Sequence, residues 1–144
     1  MKRICTLALA LALLALVAAV VWAQKPVALK KLPFSAARKA GNTLYVSGQV
    51  ARTQDGEDVK ESVAAETRQV MDNIGRILKD KGYAFEDVVS ATVYLEDIED
   101  YHEMNQVYAS YFGNGFPSRA CIGGVELVFD FKVEISCIAY REGL

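Results

Sequence analysis

From residue 63 to residue 81 the chain carries a pattern that few folds can absorb: Val63, Thr67, Val70, Ile74, Ile77, Leu78 and Lys81 recur at three and four, one stripe with polar residues opposite, as in a helix that buries a single face. Such a helix needs an apolar surface to lie on. Ser62 is placed to cap it, Glu66 sits in the first turn where the helix dipole favours a carboxylate, and Gly82 follows Lys81 as a stop. The surface comes from what flanks it. Val88 to Leu95 alternates around β-branched residues and reads as the central strand. A second helix is expected over Tyr101 to Tyr111, capped by Asp100, with Met104, Val107, Tyr108 and Tyr111 facing inward and Gly113-Asn114-Gly115 ending it.

Upstream, Val27 to Leu32 reads as a short edge strand. Ala40-Gly41-Asn42 is a turn, and Thr43 to Ser47 is a strand running into Gly48-Gln49. Arg52 to Asp58 is polar around Asp55-Gly56, a signal for a hairpin joining two strands. Downstream, Arg119 to Leu127 and Phe131 to Tyr140 are expected to close the chain as a strand pair. The order is strand-strand-helix-strand-helix-strand-strand, an α+β domain with two helices on one side of a mixed sheet. Val88 to Leu95 and Phe131 to Tyr140 carry apolar residues on both parities, so the face the helices leave open calls for a partner.

The first residues belong to a different problem. Lys2 and Arg3 precede an almost wholly apolar run, Ile4 to Val21, and Val21-Trp22-Ala23 before Gln24 has small residues where a signal peptidase reads. Residues 1–23 therefore read as a secretory signal cut after Ala23, which sends the protein to the periplasm or outside the cell. An uncleaved anchor is the competing reading, since the run of about 18 residues is near the lower limit for a bilayer span. Cys5 lies at the wrong end of the run for a lipid-modified mature terminus. Cleavage leaves 144 − 23 = 121 residues, one domain's worth, made of a tether and edge strand at 24–32 and a domain at 33–144. Losing Lys2 and Arg3 takes the formal charge from −2 to −4. An acidic chain without a Lys/Arg cluster is a poor partner for nucleic acid.

Chemistry concentrates at Phe116-Pro117-Ser118-Arg119-Ala120-Cys121. Pro117 cannot donate to a sheet ladder, so the segment is a rigid lead into a strand with one guanidinium at its mouth. That planar fork matches a carboxylate with two parallel hydrogen bonds. Glu134 interrupts the apolar Phe131–Ala139 strand, where a carboxylate is costly unless partnered. Two readings stand side by side: Arg119 and Glu134 meet across adjacent strands and neutralise each other, or Arg119 takes a substrate anion. Cys121 and Cys137 could be bridged across the same hairpin. Strand parity opposes it, because Glu134 on the face of Arg119 and Cys121 would put Cys137 on the other. His102, the one histidine, reads as a surface or cap residue, and one histidine with two strand cysteines fits no zinc spacing. The run Glu96, Asp97, Glu99, Asp100, Glu103 reads as a solvated turn, and Tyr94, Tyr101, Tyr108 and Tyr111 as core and interface aromatics.

These stretches resemble a known family. Phe116 to Cys121, Val133-Glu134-Ile135, Tyr45-Val46-Ser47-Gly48-Gln49, Glu66-Thr67-Arg68-Gln69-Val70 and Met104-Asn105-Gln106-Val107-Tyr108 with Tyr111-Phe112 are similar, in the same order, to the RidA (YjgF-type) reactive-intermediate deaminases, from about Pro33 to the C-terminus. The resemblance implies a chorismate-mutase-like fold, a homotrimer with a barrel-like centre and sites in the clefts between subunits. It also implies hydrolysis of enamine and imine intermediates to 2-oxo acids and ammonia, without metal or organic cofactor. Carried over, Arg119 clamps the substrate carboxylate, the backbone of Cys121 helps place the imine and the water, and Glu134 holds that water first and acts as base second. Phe34, Ser47, Gly48 and Asn105 fall in or beside the cleft as substrate-binding residues. The chain departs from the pattern at Phe34, where a tyrosine hydroxyl is usual, and at Leu127-Val128 with Phe129, where Leu-Pro is usual. A non-catalytic module that binds a small carboxylate or a peptide on the same scaffold, or acts as a holdase, is the alternative.

Overall fold

The computed structural model describes residues 33–113 and 115–143. The edge strand expected at Val27 to Leu32 and the segment 1–23 lie outside the described residues. Among those described, no helix is long and apolar enough to cross a membrane.

A hairpin opens the domain. Strand β1 (Ala37–Ala40) turns through Gly41, whose φ of 56° suits a residue without Cβ, and pairs antiparallel with β2 (Thr43–Gln49). The hairpin expected at Arg52 to Asp58 is reduced to a single bridge between Arg52 and Asp58, closed by their ion pair. Helix α1 (Val63–Asp80) begins as expected, with the Ser62 hydroxyl accepting from Ala65 N at 3.1 Å, and Gly82 follows it at φ 83°. Val63, Val70, Met71, Ile74, Ile77 and Leu78 are all buried along one side, each contributing roughly 1.5–3 kcal/mol by leaving water.

Strand β3 (Val88–Leu95) leads through a 3-10 turn (Ile98–Asp100) into α2 (Tyr101–Ala109), then β4 (Ser118–Ile122) and β5 (Val133–Tyr140). Asp100 is itself helical and makes no side-chain cap. Asp97, three residues earlier, accepts from Glu99 N at 3.0 Å and starts the turn instead. Strand β1 (Ala37–Ala40) is not among the expected strands; from β2 onward the element order follows the sequence, and the protein is α+β with both helices packed into one core on one face of the sheet.

The strand order overturns one expectation. It is β1-β2-β5-β3-β4, with β4 parallel to β3 and β5 antiparallel to both β2 and β3. The last two strands do not pair with each other. β3 lies between them, because the 3-10 turn at Val128–Asp130 and its flanks carry the chain across β3 to its other edge. Phe129 and Asp130 take φ of 58° and 56° there without being glycine. Phe129 is held by the Arg52 guanidinium, 4.3 Å from its ring, and by Lys60 donating to its carbonyl.

Candidate functional site

Strand alternation sorts the candidate residues onto two faces. On β5, Val133, Ile135, Cys137 and Ala139 are buried beneath the helices, so Glu134, Ser136, Ile138 and Tyr140 point to the open face. On β4, Arg119 is in register with Ala91 and Cys121 with Val93, both residues of the helix face. Arg119 and Cys121 therefore lie under α2 while Glu134 lies on the far side of the sheet. The expected meeting of Arg119 and Glu134 on neighbouring strands does not occur, for two reasons: β3 separates the strands, and the faces are opposite. Cys137, in contrast, shares the face of Arg119. Both cysteines are free. With β3 between them they stand about 10 Å apart by strand spacing, beyond disulfide reach, so the intervening strand and not parity excludes the bond.

Around Arg119 the protein forms a cleft of ≈ 460 Å³ lined by Asn105, Tyr108, Ala109, Phe116, Pro117 and Arg119. Pro117 brings β4 in at the sheet edge, α2 supplies Asn105 and Tyr108, and Phe116 stands 67 % exposed at the rim against Phe112. Arg119 is half-buried. Among the described residues no carboxylate lies within ion-pair distance of it, and the ion pairs formed are Arg52–Asp58, Lys132–Glu96 and Arg141–Asp87. Its hydrogen bond is a long one, Nη2 donating to the Tyr101 hydroxyl at 3.4 Å. A cation left unneutralised beside an apolar-walled cleft is what a small anion would meet.

Cys121 sits one register step further along β4. Burial pushes its thiol up, opposed by the nearby Arg119, a shift away from the thiolate that a nucleophile needs. Its backbone remains available.

The open face holds the other group. Glu134 is tucked against Gly48: a Cβ at residue 48 would fall 1.8 Å from Glu134 Oε1. β2 slips register between Val46 and Gln49, where it pairs with β5, and this bulge together with the missing side chain makes room for the carboxylate. Ser47 fixes the bulge, its hydroxyl donating to Ala36 O at 3.0 Å and accepting from Gln49 Nε2 at 3.2 Å. Burial holds the Glu134 carboxyl above its ordinary value, the direction a water-holding base requires. Phe34 precedes β1 and is 60 % exposed.

The two sets are thus Arg119, Cys121 and Asn105 on the helix side, and Glu134, Gly48 and Ser47 on the open side. Around the latter lie Ser90, Thr92, Tyr94 and Ser136, so the open face is richer in hydroxyls than its apolar parity suggested. Two supporting residues escaped the sequence pattern. Glu66, 1 % exposed, accepts from Lys132 N at 2.8 Å and thereby fixes the start of β5 two residues before Glu134. Burial raises its carboxyl, and the Lys132 and Val133 backbone N–H groups oppose that. Tyr108 lies against Arg119, its ring centre 4.7 Å from the guanidinium carbon. Helix periodicity marked Tyr108 as inward; only the β3–β4 register puts Arg119 beneath it.

Comparison with known proteins gives one consistent result. The profile of the endoribonuclease L-PSP family matches residues 24–141. A RutC family protein of Pyrococcus horikoshii is 45 % identical over 111 residues, covering 76 % of this chain and 88 % of its own length. The 2-iminobutanoate/2-iminopropanoate deaminase of Bos taurus is 42 % identical over 110 residues, covering 76 % of this chain and 80 % of its own. Among solved structures, E. coli TdcF with bound serine superposes with a TM-score of 0.73 at 28 % identity, over 78 % of this chain and 91 % of that one.

Proposed function

Starting from the fact that this chain belongs to the endoribonuclease L-PSP family, we propose that it hydrolyses 2-aminoacrylate-type 2-imino acids to 2-oxo acids and ammonia, in a trimer whose sites lie between subunits. The observation that carries this is the unneutralised Arg119 in its ≈ 460 Å³ cleft, with the carboxylate that would complete the chemistry on the opposite sheet face. Arg119 of one subunit then stands across the bound substrate from Glu134 of the next, its guanidinium meeting the substrate carboxylate and not Glu134.

The imine carbon is already electrophilic, so the protein's work is orientation and charge placement. Arg119 receives the substrate carboxylate through both N–H edges, and the Cys121 backbone places the C=N group. Glu134 holds a water against the carbon and takes its proton as the C–O bond forms. Glu134 returns that proton to the nitrogen, and the resulting amino alcohol collapses to the 2-oxo acid as its C–N bond breaks and ammonia leaves, its hydroxyl proton going with the nitrogen. Asn105 on the cleft wall has an amide to offer the nitrogen, and Ser47 keeps the Gly48 bulge that admits Glu134. Phe34 brings no hydroxyl to this scheme. The bovine relative's name supports the reaction, and the serine of TdcF supports a seat for a small carboxylate.

The trimer is supported by the open sheet face, where Tyr45 and Tyr140 stand exposed beside a groove of ≈ 220 Å³. Export by residues 1–23 is part of the same proposal. The charged Lys2-Arg3 start, the apolar run Ile4 to Val21 and the small residues before Gln24 are its ground, and N-terminal sequencing of the mature protein from a cell fraction tests it. An imine arising outside the cytosol, from an exported amino-acid oxidase or dehydrogenase, would then be the substrate.

The deciding experiment generates imines with an amino-acid oxidase and follows 2-oxo acid and ammonia release. The proposal expects the folded protein to exceed the spontaneous rate. A folded trimer that binds a small carboxylate without exceeding that rate supports instead the binding module, which the bound serine of TdcF also favours.

A further inference from the structure

An arginine that must receive a substrate anion has to be held in place by something that does not cancel its charge. A carboxylate would orient the guanidinium and neutralise it at once. In this protein Arg119 is faced by two rings of α2: Tyr108 at 4.7 Å from ring centre to guanidinium carbon, and Tyr101 at 5.7 Å. Residues 101 and 108 are seven apart, two helical turns, so both rings stand on one stripe above β4. The face of an aromatic ring attracts a guanidinium through its quadrupole while leaving the N–H edges free to donate in the plane.

Tyr108 is built to be immobile. It is 4 % exposed and lies 4.8 Å from the Phe112 ring. Burial pushes its phenol up to about 12, so it stays neutral. Its buried hydroxyl has no hydrogen-bond partner among the described residues, a cost that ring packing does not explain and that makes the ring face, not the hydroxyl, the part in use toward Arg119.

We propose that Tyr108, seconded by Tyr101, is the positioning residue of the anion clamp: its ring face fixes the guanidinium plane so that the N–H edge of Arg119 is presented to the cleft. Tyr108 acts through Arg119 and takes no part in bond making. This inference rests on the anion-clamp reading proposed above and extends it to what holds the clamp.

The test compares Tyr108→Leu, which removes the ring face and keeps apolar bulk, with Tyr108→Phe, which restores the face. Two readouts are taken: the Kd for 2-oxobutanoate as a small carboxylate probe, and the NMR order parameter of the Arg119 Nε–H group. The expected result is an affinity about tenfold weaker in Tyr108→Leu, from a lost cation–π contact, with a lowered Arg119 order parameter and both recovered in Tyr108→Phe. In the imine assay the Leu variant raises KM and spares kcat. Wild-type affinity and order in Tyr108→Leu overturn the inference, as does an equal loss in Tyr108→Phe. Should Tyr108→Leu fail to fold, Tyr101→Leu against Tyr101→Phe repeats the comparison at the less buried ring: a loss of about threefold is expected in Leu and a partial recovery in Phe, which keeps the ring but not the long hydrogen bond from Arg119, and equal losses in the two overturn the inference. A wild type that binds 2-oxobutanoate with the variants ranked as expected, yet leaves imines at their spontaneous rate, sinks the deaminase function and leaves this inference standing.

Discussion

The two faces of the sheet hold the two halves of the chemistry proposed for this protein. Among the described residues, Arg119 under the helices has a ready cavity and aromatic neighbours but no carboxylate within ion-pair reach, and Glu134 on the open face has a glycine-floored seat but no cation within that reach. Had the two groups shared a face on adjacent strands, they would have paired, and a paired arginine clamps nothing while a paired glutamate is a weak base. Separating them through the thickness of a sheet keeps each active. In the proposed trimer the substrate carboxylate, and not Glu134, satisfies Arg119.

That contrast can be broken at either face. The largest effect is expected from Arg119→Ala, which empties the helix-side half: kcat/KM for imine hydrolysis should fall by about a hundredfold or more through lost orientation, with the circular dichroism spectrum unchanged. Equal acceleration by wild type and variant would remove Arg119 from the mechanism. Next is Gly48→Ala on the open face, whose Cβ would collide with Glu134 Oε1. The colliding atom is the end of a flexible side chain, so the carboxylate should swing aside at little cost in stability, and kcat should fall by about thirtyfold as the water loses its holder. A Gly48→Ala enzyme of wild-type rate would show that the seat of Glu134 does not matter.

The pH dependence distinguishes the faces more finely. Burial raises the Glu134 carboxyl above its ordinary value, so in the window between that value and the native one the folded protein holds more protons than the unfolded chain. Stability should then fall as pH rises through the window, and be fully present below it. Activity should move the other way, with an acid limb lying above the usual carboxylate range. Glu134→Gln should flatten the stability slope and erase the limb, as measured by thermal melts and kcat across pH 4 to 8. The smallest effect concerns the Cys121 thiol on the Arg119 side, which burial raises and Arg119 lowers. Its alkylation at pH 8 should be about threefold slower than that of a free cysteine, and slower again in Arg119→Ala.

Much of the molecule was legible from local signals. The α1 stripe, its Ser62 cap, the β3 alternation and the order of elements from β2 onward needed only neighbours within a few residues. Pairing was not legible, because it is a property of the whole sheet. Nothing in Phe116 to Cys121 announces that β4 joins β3 in parallel, and nothing at Val128–Asp130 announces a crossing, since Phe129 and Asp130 adopt positive φ without a glycine. The misplaced neighbourhood of Arg119 and Glu134 follows from that one gap. So do the unforeseen roles of Tyr108, which depends on the β4 register, and of Glu66, which reaches a backbone 66 residues away. The residues of the candidate site could be named from the sequence; which of them share a face could not.

Complementation tests the division of the site most directly. Arg119→Ala and Glu134→Ala proteins, each inactive alone, are unfolded together and refolded as mixed oligomers. In a random one-to-one mixture about a quarter of inter-subunit sites receive Arg119 from one subunit and Glu134 from the next, so about a quarter of wild-type activity should return. Mixed oligomers that form and remain inactive would show that both residues must come from the same chain, contradicting a site assembled from opposite faces of neighbouring sheets.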